Sequence, residues 1–305
     1  MKGFEILFVD GNNLAFQALG KAPLYFEGAR TELVRISLSM IRSYVEKFSP
    51  EFVVVAWDAG RDAQRLELHP DYKRRKKELT EAEREERRIA FAQMDILPDI
   101  FASLGIRQYK VPGREADDVL YSLLSSDVAA DREGGACVAS TDRDMFQLFE
   151  YFPRLAVYSP VKKILYKRAR VEREFGFPVG LFSLYRAFVG DPGDNLPGVR
   201  GVGPKKATDY LQAISSGKLS EEEKASWFRK LVKVEEEFDR ALGLTMFIPI
   251  PDEELDRGEI LAAPFEEMEE RAIIWAEALG FERVLDNLSG WLWPFKRMFS
   301  RRGAK

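Results

Sequence analysis

Acidic residues follow three short apolar segments of this sequence. The segments FEILFVD, FVVVAWD and ACVASTD end at Asp10, Asp58 and Asp142. Continuous apolar runs of this length are typical of strands buried on both faces of a parallel sheet. A single aspartate after a strand is usually a turn or N-cap residue. Three of them on separate core strands indicate a shared acidic site at the carboxyl edge of the sheet, where α/β proteins bind ligands.

Further acids stand where other elements begin or end. The stretches GREADDVLYSLL, STDRDMFQLF and GDPGDN supply Glu115, Asp117, Asp118, Asp144, Asp191 and Asp194. Acids in the first turn of a helix also complement its dipole, which is the alternative for the first stretch. A cluster made only of carboxylates suits hard cations, above all Mg²⁺. Two such ions about 4 Å apart would activate water and stabilise the attacking and leaving oxygens of a phosphodiester. The nine acids therefore predict a two-metal phosphodiesterase site.

The composition excludes several other classes of protein. With one histidine, His69, and one cysteine, Cys137, a zinc cluster and an internal disulfide are not expected. No apolar run approaches the roughly 18 residues of a membrane span, and the N-terminus lacks the pattern of a signal peptide. We therefore expect a cytoplasmic protein. The net charge is −4, but setting the nine acids aside leaves 41 acidic against 46 basic residues, so the remainder is mildly basic.

The elements that position these acids follow from apolar periodicity. Spacings of three and four predict helices over Thr31–Phe48 and Ile89–Leu104, with a kink or break at Pro98 and an end at Gly105. Alternating strands and helices predict an α/β fold. Beyond about residue 180 helices dominate, including Glu221–Leu242 and Glu266–Leu279. We predict a core over 1–180 and a helical subdomain over 181–305.

A run of five bases, Lys73 to Lys77, follows Tyr72 just past the second predicted strand. A charge run is usually a solvated helix face. Here the adjoining aromatic side chain would allow base stacking beside phosphate contacts, so the run also fits a nucleic-acid contact.

The motifs together resemble the 5′ nucleases, which include flap endonucleases, phage 5′-exonucleases and the 5′-nuclease domain of bacterial DNA polymerase I. They are FVDGNNLA, VAWDAG, QRLELHPDYK, VPGREADDVL, STDRDMFQL and GDPGDNLPGVRGVGPKKA, in family order over about residues 8–207. The RLELHPDYK stretch is most similar to the free-standing phage enzymes. The resemblance implies a PIN-like, mostly parallel sheet flanked by helices, a helical arch over about 66–98, and a helix-three-turn-helix DNA-binding motif in the C-terminal subdomain.

Residue roles come with the resemblance. Asp10, Asp58, Glu115, Asp117, Asp142 and Asp144 are similar to direct or near metal ligands, and Asp118, Asp191 and Asp194 to outer or second-metal acids. Lys73 resembles the arch lysine that contacts the scissile phosphate, Tyr72 the aromatic partner of a terminal base, and Arg65 a phosphate-positioning arginine. The phage pattern places an arginine where this chain has Lys76, and Arg75 is the alternative. Arg74 and Lys77 are further candidate DNA contacts.

The glycine-rich stretch after Asp194 predicts a tight hairpin. Gly198, Gly201 and Gly203 would let backbone amides approach duplex phosphates, with Pro204 starting a helix and Lys205 and Lys206 beside it. A plain turn is the alternative. K⁺ is a further candidate ligand of this hairpin. At the end of the chain, WLWPFKRMFSRRGAK fits either an aromatic segment packed on the core or a docking tail for replication proteins or DNA.

The resemblance implies Mg²⁺-dependent, structure-specific 5′-3′ exonuclease and flap endonuclease activity in DNA replication or repair, with Mn²⁺ as a substitute ion. Expected partners are DNA flaps, nicks and junctions, and RNA/DNA hybrids as primers. It also implies a monomer in a bacterial or phage-infected cytoplasm. Two alternatives remain open: a structure-specific DNA-binding protein that has lost catalysis, and an RNA-cleaving PIN-type nuclease. The first should lack metal ligands, and the second would not need the glycine-rich hairpin.

Overall fold

The computed structural model describes residues 3–19, 21–74, 78–126, 135–233 and 235–302. They form two compact units, each assembled from separate stretches of the chain. The first unit takes its described residues from 1–59, 77–140 and 250–305. The second unit takes them from 60–76 and 141–249.

Helices and short strands alternate along the first half of the chain. The strands are β1 (Ile6–Asp10), β2 (Tyr25–Phe26), β3 (Ala29–Arg30), β4 (Phe52–Ala56), β5 (Arg107–Tyr109), β6 (Ala136–Ala139), β7 (Ala156–Ser159), β8 (Ile164–Tyr166), β9 (Gly190–Asp191), β10 (Leu196–Pro197) and β11 (Glu259–Ile260). The helices are α1 (Gly11–Phe16), α2 (Glu32–Phe48), α3 (Ala63–Leu68), α4 (Glu81–Asp95), α5 (Leu97–Ser103), α6 (Ala116–Ser125), α7 (Leu148–Tyr151), α8 (Arg168–Phe175), α9 (Phe182–Val189), α10 (Pro204–Ser215), α11 (Glu221–Leu231), α12 (Glu235–Thr245), α13 (Asp252–Arg257), α14 (Met268–Ala278), α15 (Glu282–Leu285) and α16 (Leu288–Arg302).

The first unit is built on a mostly parallel sheet. Its strands run in the order β11, β5, β4, β1, β6, and β11 pairs antiparallel with β5 at one edge. In the central strands Leu7 lies opposite both Val53 and Cys137, and all three side chains are at most 1% exposed. Burial on both faces explains why these strands read as continuous apolar runs. The predicted class, a mostly parallel α/β sheet flanked by helices, is confirmed.

The second unit is mainly helical. It contains the antiparallel pair β7 and β8, the two-residue ladder of β9 and β10, and the helices from α7 to α12 together with α3. A cluster of aromatic rings joins α9 to its neighbours, with Phe188 against Tyr210, Phe228 and Phe238. The core of this unit holds few strand residues. The prediction that helices dominate beyond about residue 180 agrees with this composition.

Two helix predictions have different outcomes. The break at Pro98 is confirmed, because α4 ends at Asp95 and α5 begins at Leu97 with the proline in its first turn. The prediction of a single helix over Glu221–Leu242 is wrong. This stretch contains two helices, α11 and α12, because Val232 leaves the helical conformation at φ −98° and ψ 112°.

The C-terminal segment packs within the first unit. Helix α16 lies against α2 and buries Leu292, Phe295 and Met298, whereas Trp293 is 62% exposed. The packed alternative for this segment is therefore confirmed. Strand β11 pairs with β5 and α16 packs on α2, so residues 250–305 belong to the same compact unit as the sheet. The predicted domains instead divided the chain near residue 180.

Candidate active site

Carboxylates of the first unit lie at the carboxyl edge of its sheet. Asp10 is the last residue of β1, and Asp58 comes two residues after β4. Oδ1 of Asp10 accepts a hydrogen bond from the Asn13 amide at 2.9 Å, and Oδ2 accepts one from the Ser140 hydroxyl at 3.2 Å. Asp10 thus caps α1 while its carboxylate lies beside the residue that follows β6.

The start of α6 brings Glu115 next to Asp58. Glu115 occupies the N-cap position and is buried, and Oδ1 of Asp58 accepts from the Ala116 amide at 2.8 Å. Asp117 and Asp118 follow in the first turn, and Asp118 is fully buried. The free amides and positive dipole of this helix start stabilise the nearby carboxylates. Both interpretations of these acids, as groups that complement the helix dipole and as metal ligands, fit this placement.

Acids of the second unit lie in two tight turns. The Asp144 amide donates to Oδ1 of Asp142 at 2.8 Å, at the start of a 3₁₀ helix over Asp144–Gln147. The Gly193 amide donates to Oδ1 of Asp191 at 2.7 Å, and the Asp194 amide to the Asp191 carbonyl. Asp142 is exposed, so its carboxylate is open to solvent.

Arg186 joins these two turns. Its Nε forms an ion pair with Asp144, and its Nη2 lies 2.6 Å from Oδ2 of Asp191. The Arg186 side chain is only 13% exposed. Sequence reasoning missed this residue. Its position could have indicated it, because Arg186 is a basic residue in the last turn of α9, directly before Asp191 and Asp194.

Ion pairing affects both partners of this bridge. Burial alone would lower the pKa of Arg186, but Asp144 and Asp191 outweigh it, so the pKa of Arg186 is raised. Burial would likewise raise the pKa of Asp191. The hydrogen bonds from Arg186 and from the Gly193 amide outweigh it and hold the pKa of Asp191 below its usual value. Asp191 is therefore ionised at neutral pH.

Arg186→Ala is expected to destabilise the metal-free protein at pH 7 by about 1–3 kcal/mol, between the values for exposed and buried ion pairs. Because the folded pKa of Asp191 is depressed, its contribution is present above the unfolded pKa of about 3.9. It is lost as the pH falls through the lower folded value. Urea unfolding in chelator should thus show a stability difference at pH 7 that shrinks below about pH 4.

Arg173→Ala is the matched control, because Arg173 is an exposed arginine of the same unit. We expect its unfolding midpoint to stay near that of the unaltered chain at both pH values. A loss of stability in Arg186→Ala that is equally large at pH 3 would contradict the role given to Asp191.

Lys73 lies beside the second acidic turn. Its Nζ is 3.9 Å from Oδ2 of Asp194 and 5.3 Å from the centre of the Tyr72 ring. Its backbone adopts a positive φ of 52°, which is uncommon for a non-glycine residue. The structure thus brings Lys73 to one of the predicted site acids of its own unit.

Tyr72 and Arg65 are buried rather than open to solvent. Tyr72 is 3% exposed and packs against Leu196 and Leu244. Arg65 is 2% exposed, and its Nη2 donates to the Met246 carbonyl at 3.0 Å. While this packing holds, the Tyr72 ring offers no face to a base, and Arg65 no open surface to a phosphate. Their predicted contacts with DNA remain predictions.

The basic run is described only in part. Arg74 is exposed and paired with Asp71 at 2.9 Å. Arg75, Lys76 and Lys77 lie outside the described residues, so the choice between Arg75 and Lys76 stays open. The arch over 66–98 likewise remains a prediction, although α3 and α4 occupy described parts of it.

The glycine-rich stretch forms a tight turn between α9 and α10. Gly201 has a φ of +80°, and a Cβ atom at Gly198 would overlap the Phe188 carbonyl oxygen. Gly203 is the N-cap of α10, and Pro204 follows it as the helix begins. Lys206 Nζ donates to the Gly201 carbonyl at 2.8 Å, and Lys205 is exposed. The predicted turn is present, and its contact with phosphates remains a prediction.

The acids suit a hard cation by their chemistry. Across the described residues, no three His, Cys, Asp or Glu side chains are gathered closely enough to hold one metal ion. Mg²⁺ needs fewer, because it is usually held by one or two carboxylates together with waters and substrate phosphates. Asp10, Asp58 and Glu115 in the first unit and Asp142, Asp144, Asp191 and Asp194 in the second are therefore suitable donors.

Helices long and apolar enough to cross a membrane are absent from the described part of the chain. Cys137, the single cysteine of the sequence, is buried in β6.

Taken together, the fold and the acids define an α/β protein with carboxylates at the carboxyl edge of a mostly parallel sheet and further acids in a helical unit. The family model of the 5′-3′ exonuclease N-terminal, resolvase-like domain matches residues 5–176. This is more than half of the chain, which therefore belongs to the 5′-3′ exonuclease family.

Individual relatives agree with this assignment. A 5′-3′ exonuclease of Aquifex aeolicus is 28% identical over 218 residues, covering 71% of either chain. DNA polymerase I of Mycobacterium tuberculosis is 31% identical over 222 residues, which are 69% of this chain but only 23% of the polymerase. A flap endonuclease variant of bacteriophage T5, solved with DNA and metal ions, has a similar fold with a TM-score of 0.59 at 20% identity, covering 97% of this chain and 99% of the other.

Proposed function

We propose that this protein is a divalent-metal-dependent 5′ nuclease that hydrolyses phosphodiester bonds at 5′ ends, flaps and junctions of DNA. The family membership and the names of its relatives support this proposal. The observation that carries it is the complete set of nine carboxylates, five on the first unit and four on the second. A protein that only binds DNA has no need for all of them.

We propose Mg²⁺ as the physiological ion, with Mn²⁺ as a substitute and K⁺ as a further ligand of the glycine-rich turn. When bound, the metal ions would supply activated water and stabilise charge on the phosphate. Asp10, Asp58, Glu115 and Asp117 would hold metal in the first unit, and Asp142 and Asp144 in the second. Asp118, Asp191 and Asp194 would orient bound waters or serve a second ion.

Basic groups of the second unit would handle the phosphates. The Nζ of Lys73 would donate a hydrogen bond to a non-bridging oxygen of the scissile phosphate, where negative charge grows in the transition state. Lys205 and Lys206, at the start of α10, would bind the duplex backbone together with the amides of the turn at Gly201. These contacts depend on charge and shape rather than base sequence, which suits an enzyme that selects structures.

The deciding experiment is cleavage of a 5′-labelled flap. Purified protein is incubated with flap, nicked, single-stranded and RNA/DNA substrates in Mg²⁺, in Mn²⁺ and in chelator. We expect release of labelled product with either ion and none in chelator. If the protein binds the flap but leaves it intact with both ions, the catalytically inactive DNA-binding alternative is correct. Preferential cleavage of RNA would support the PIN-type ribonuclease instead.

The monomeric state, the cytoplasmic location and a replication partner also belong to this proposal. Size-exclusion chromatography with light scattering would test the first. A partner at the C-terminal end would have to use exposed groups of α16 such as Trp293, because Leu292, Phe295 and Met298 are buried within the first unit.

A further inference from the structure

The segment that carries Lys73 is hydrogen-bonded to the turn at Asp191–Asp194 of its own unit. Residues 60–76 belong to the second unit although at least 65 positions separate them from residues 141–249, which supply the rest of it. The Lys73 amide donates to the Asp194 carbonyl at 2.9 Å. Asn195, the next residue along, makes three further polar contacts with this segment.

Asn195 uses both its side chain and its backbone. Its Nδ2 donates to the Asp71 carbonyl at 3.0 Å and also to the Arg74 carbonyl. Its own carbonyl lies 3.1 Å from Nε2 of His69. Because a carbonyl only accepts, the ring nitrogen must carry the proton. Asn195 thus contacts residues on either side of Lys73.

The backbone of Asn195 explains why this residue type stands here. Its φ is +58°, in the left-handed region that asparagine tolerates better than most side chains. Glycine would also adopt this conformation but has no amide to donate. Aspartate would keep the shape but place an oxygen against two carbonyls, which repel it. Asparagine, unlike either of these two residues, meets the conformation and the hydrogen bonds together.

These contacts leave Lys73 little freedom. Its own φ is +52°, and the carbonyls on both sides of it, at Asp71 and Arg74, are held by a single side chain. The Tyr72 ring next to it is buried against Leu196, the residue after Asn195. The Nζ of Lys73 also lies 3.9 Å from Oδ2 of Asp194. A fixed backbone together with this ion pair keeps the charged group near one position, which favours a transition-state contact.

We propose that Asn195 is a positioning residue that holds Lys73 for the cleavage reaction. This inference rests on the proposed role of Lys73. The amide of Asn195 donates to the Asp71 and Arg74 carbonyls, so we assign it no contact with the substrate. Its loss should therefore slow cleavage while leaving the affinity for DNA nearly unchanged.

The test combines two readouts in Asn195→Gly and Asn195→Asp. In single-turnover assays with a flap substrate, we expect both variants to cleave roughly 10- to 100-fold more slowly. We expect their dissociation constants to stay within about threefold, since no phosphate contact is removed. In amide hydrogen exchange without DNA or metal, the amides of residues 72–74 should exchange faster than in the unaltered chain.

Lys163→Gly is the matched control. Lys163 is an exposed residue of the same unit with a φ of +56°, so its change to glycine also alters a left-handed backbone position but removes no hydrogen bond to the Lys73 segment. We expect unaltered cleavage and exchange for this variant. Thermal melting of each variant establishes that it is folded.

A double variant separates positioning from a merely structural role. If Asn195 acts through Lys73, Asn195→Gly should slow Lys73→Ala protein little further, because contacting residues act non-additively. An equally large further loss would overturn the proposal, as would unchanged exchange at residues 72–74. Failure of the unaltered chain to cleave any flap would instead reject the proposed function, while the exchange experiment would still decide whether Asn195 holds this segment.

Discussion

Asp142→Ala should reduce flap cleavage by at least about 100-fold, the upper end of the losses known for groups that support a metal centre. Asp142 is exposed, and its Oδ1 accepts the Asp144 amide in the same turn. The carboxylate is therefore open to an ion, and its removal leaves the buried core intact. Junction binding should persist, because the variant removes a negative charge from a surface that meets phosphates.

Cleavage in Mg²⁺ and junction binding in chelator would be measured for the same preparations. Asp142→Asn distinguishes the two uses of the side chain, since it keeps an oxygen for the Asp144 amide but carries no charge. We expect it to be as inactive as the alanine variant and closer to the unaltered chain in stability. Asp239→Ala, at an exposed position of α12, is the control. Normal cleavage by Asp142→Ala would exclude this residue from the metal site.

Lys73→Ala should slow single-turnover cleavage by about 100-fold or more, as is typical when one preorganised donor to a developing charge is removed. The side chain is about one-third exposed and lies at the acidic turn, close enough to Asp194 for an ion pair. Its contact with substrate is expected to strengthen in the transition state. The rate should therefore fall much more than the affinity for the junction.

Rates at saturating enzyme and dissociation constants for the same flap would separate these effects. Lys167→Ala removes an exposed lysine elsewhere in the same unit and should leave both quantities near their normal values. If Lys73→Ala weakened binding by as large a factor as it slowed cleavage, Lys73 would be an ordinary DNA contact. Its proposed contact with the scissile phosphate would then be wrong.

The sequence by itself predicted the local parts of this protein. The strands that end near Asp10, Asp58 and Asp142 could be predicted because burial on both faces requires continuous apolar residues. The break before Pro98 and the turn at Gly201 could be predicted because proline restricts the backbone at its own position and glycine permits conformations that other residues avoid. The nine acids could be listed for the same reason, since the type of each residue and its place at an element end are local properties.

Tertiary structure decided how these parts contact one another. The sequence around Tyr72 does not show whether its ring stacks on a base or is buried. Its burial depends on Leu196 and Leu244, which lie far along the chain. The pairing of Arg186 with both Asp144 and Asp191 likewise requires a helix and two turns to meet. Asn195 holds the Lys73 segment from more than 120 positions away. Such contacts depend on the packing of distant elements, whereas sequence periodicity reports only which face of each element is buried.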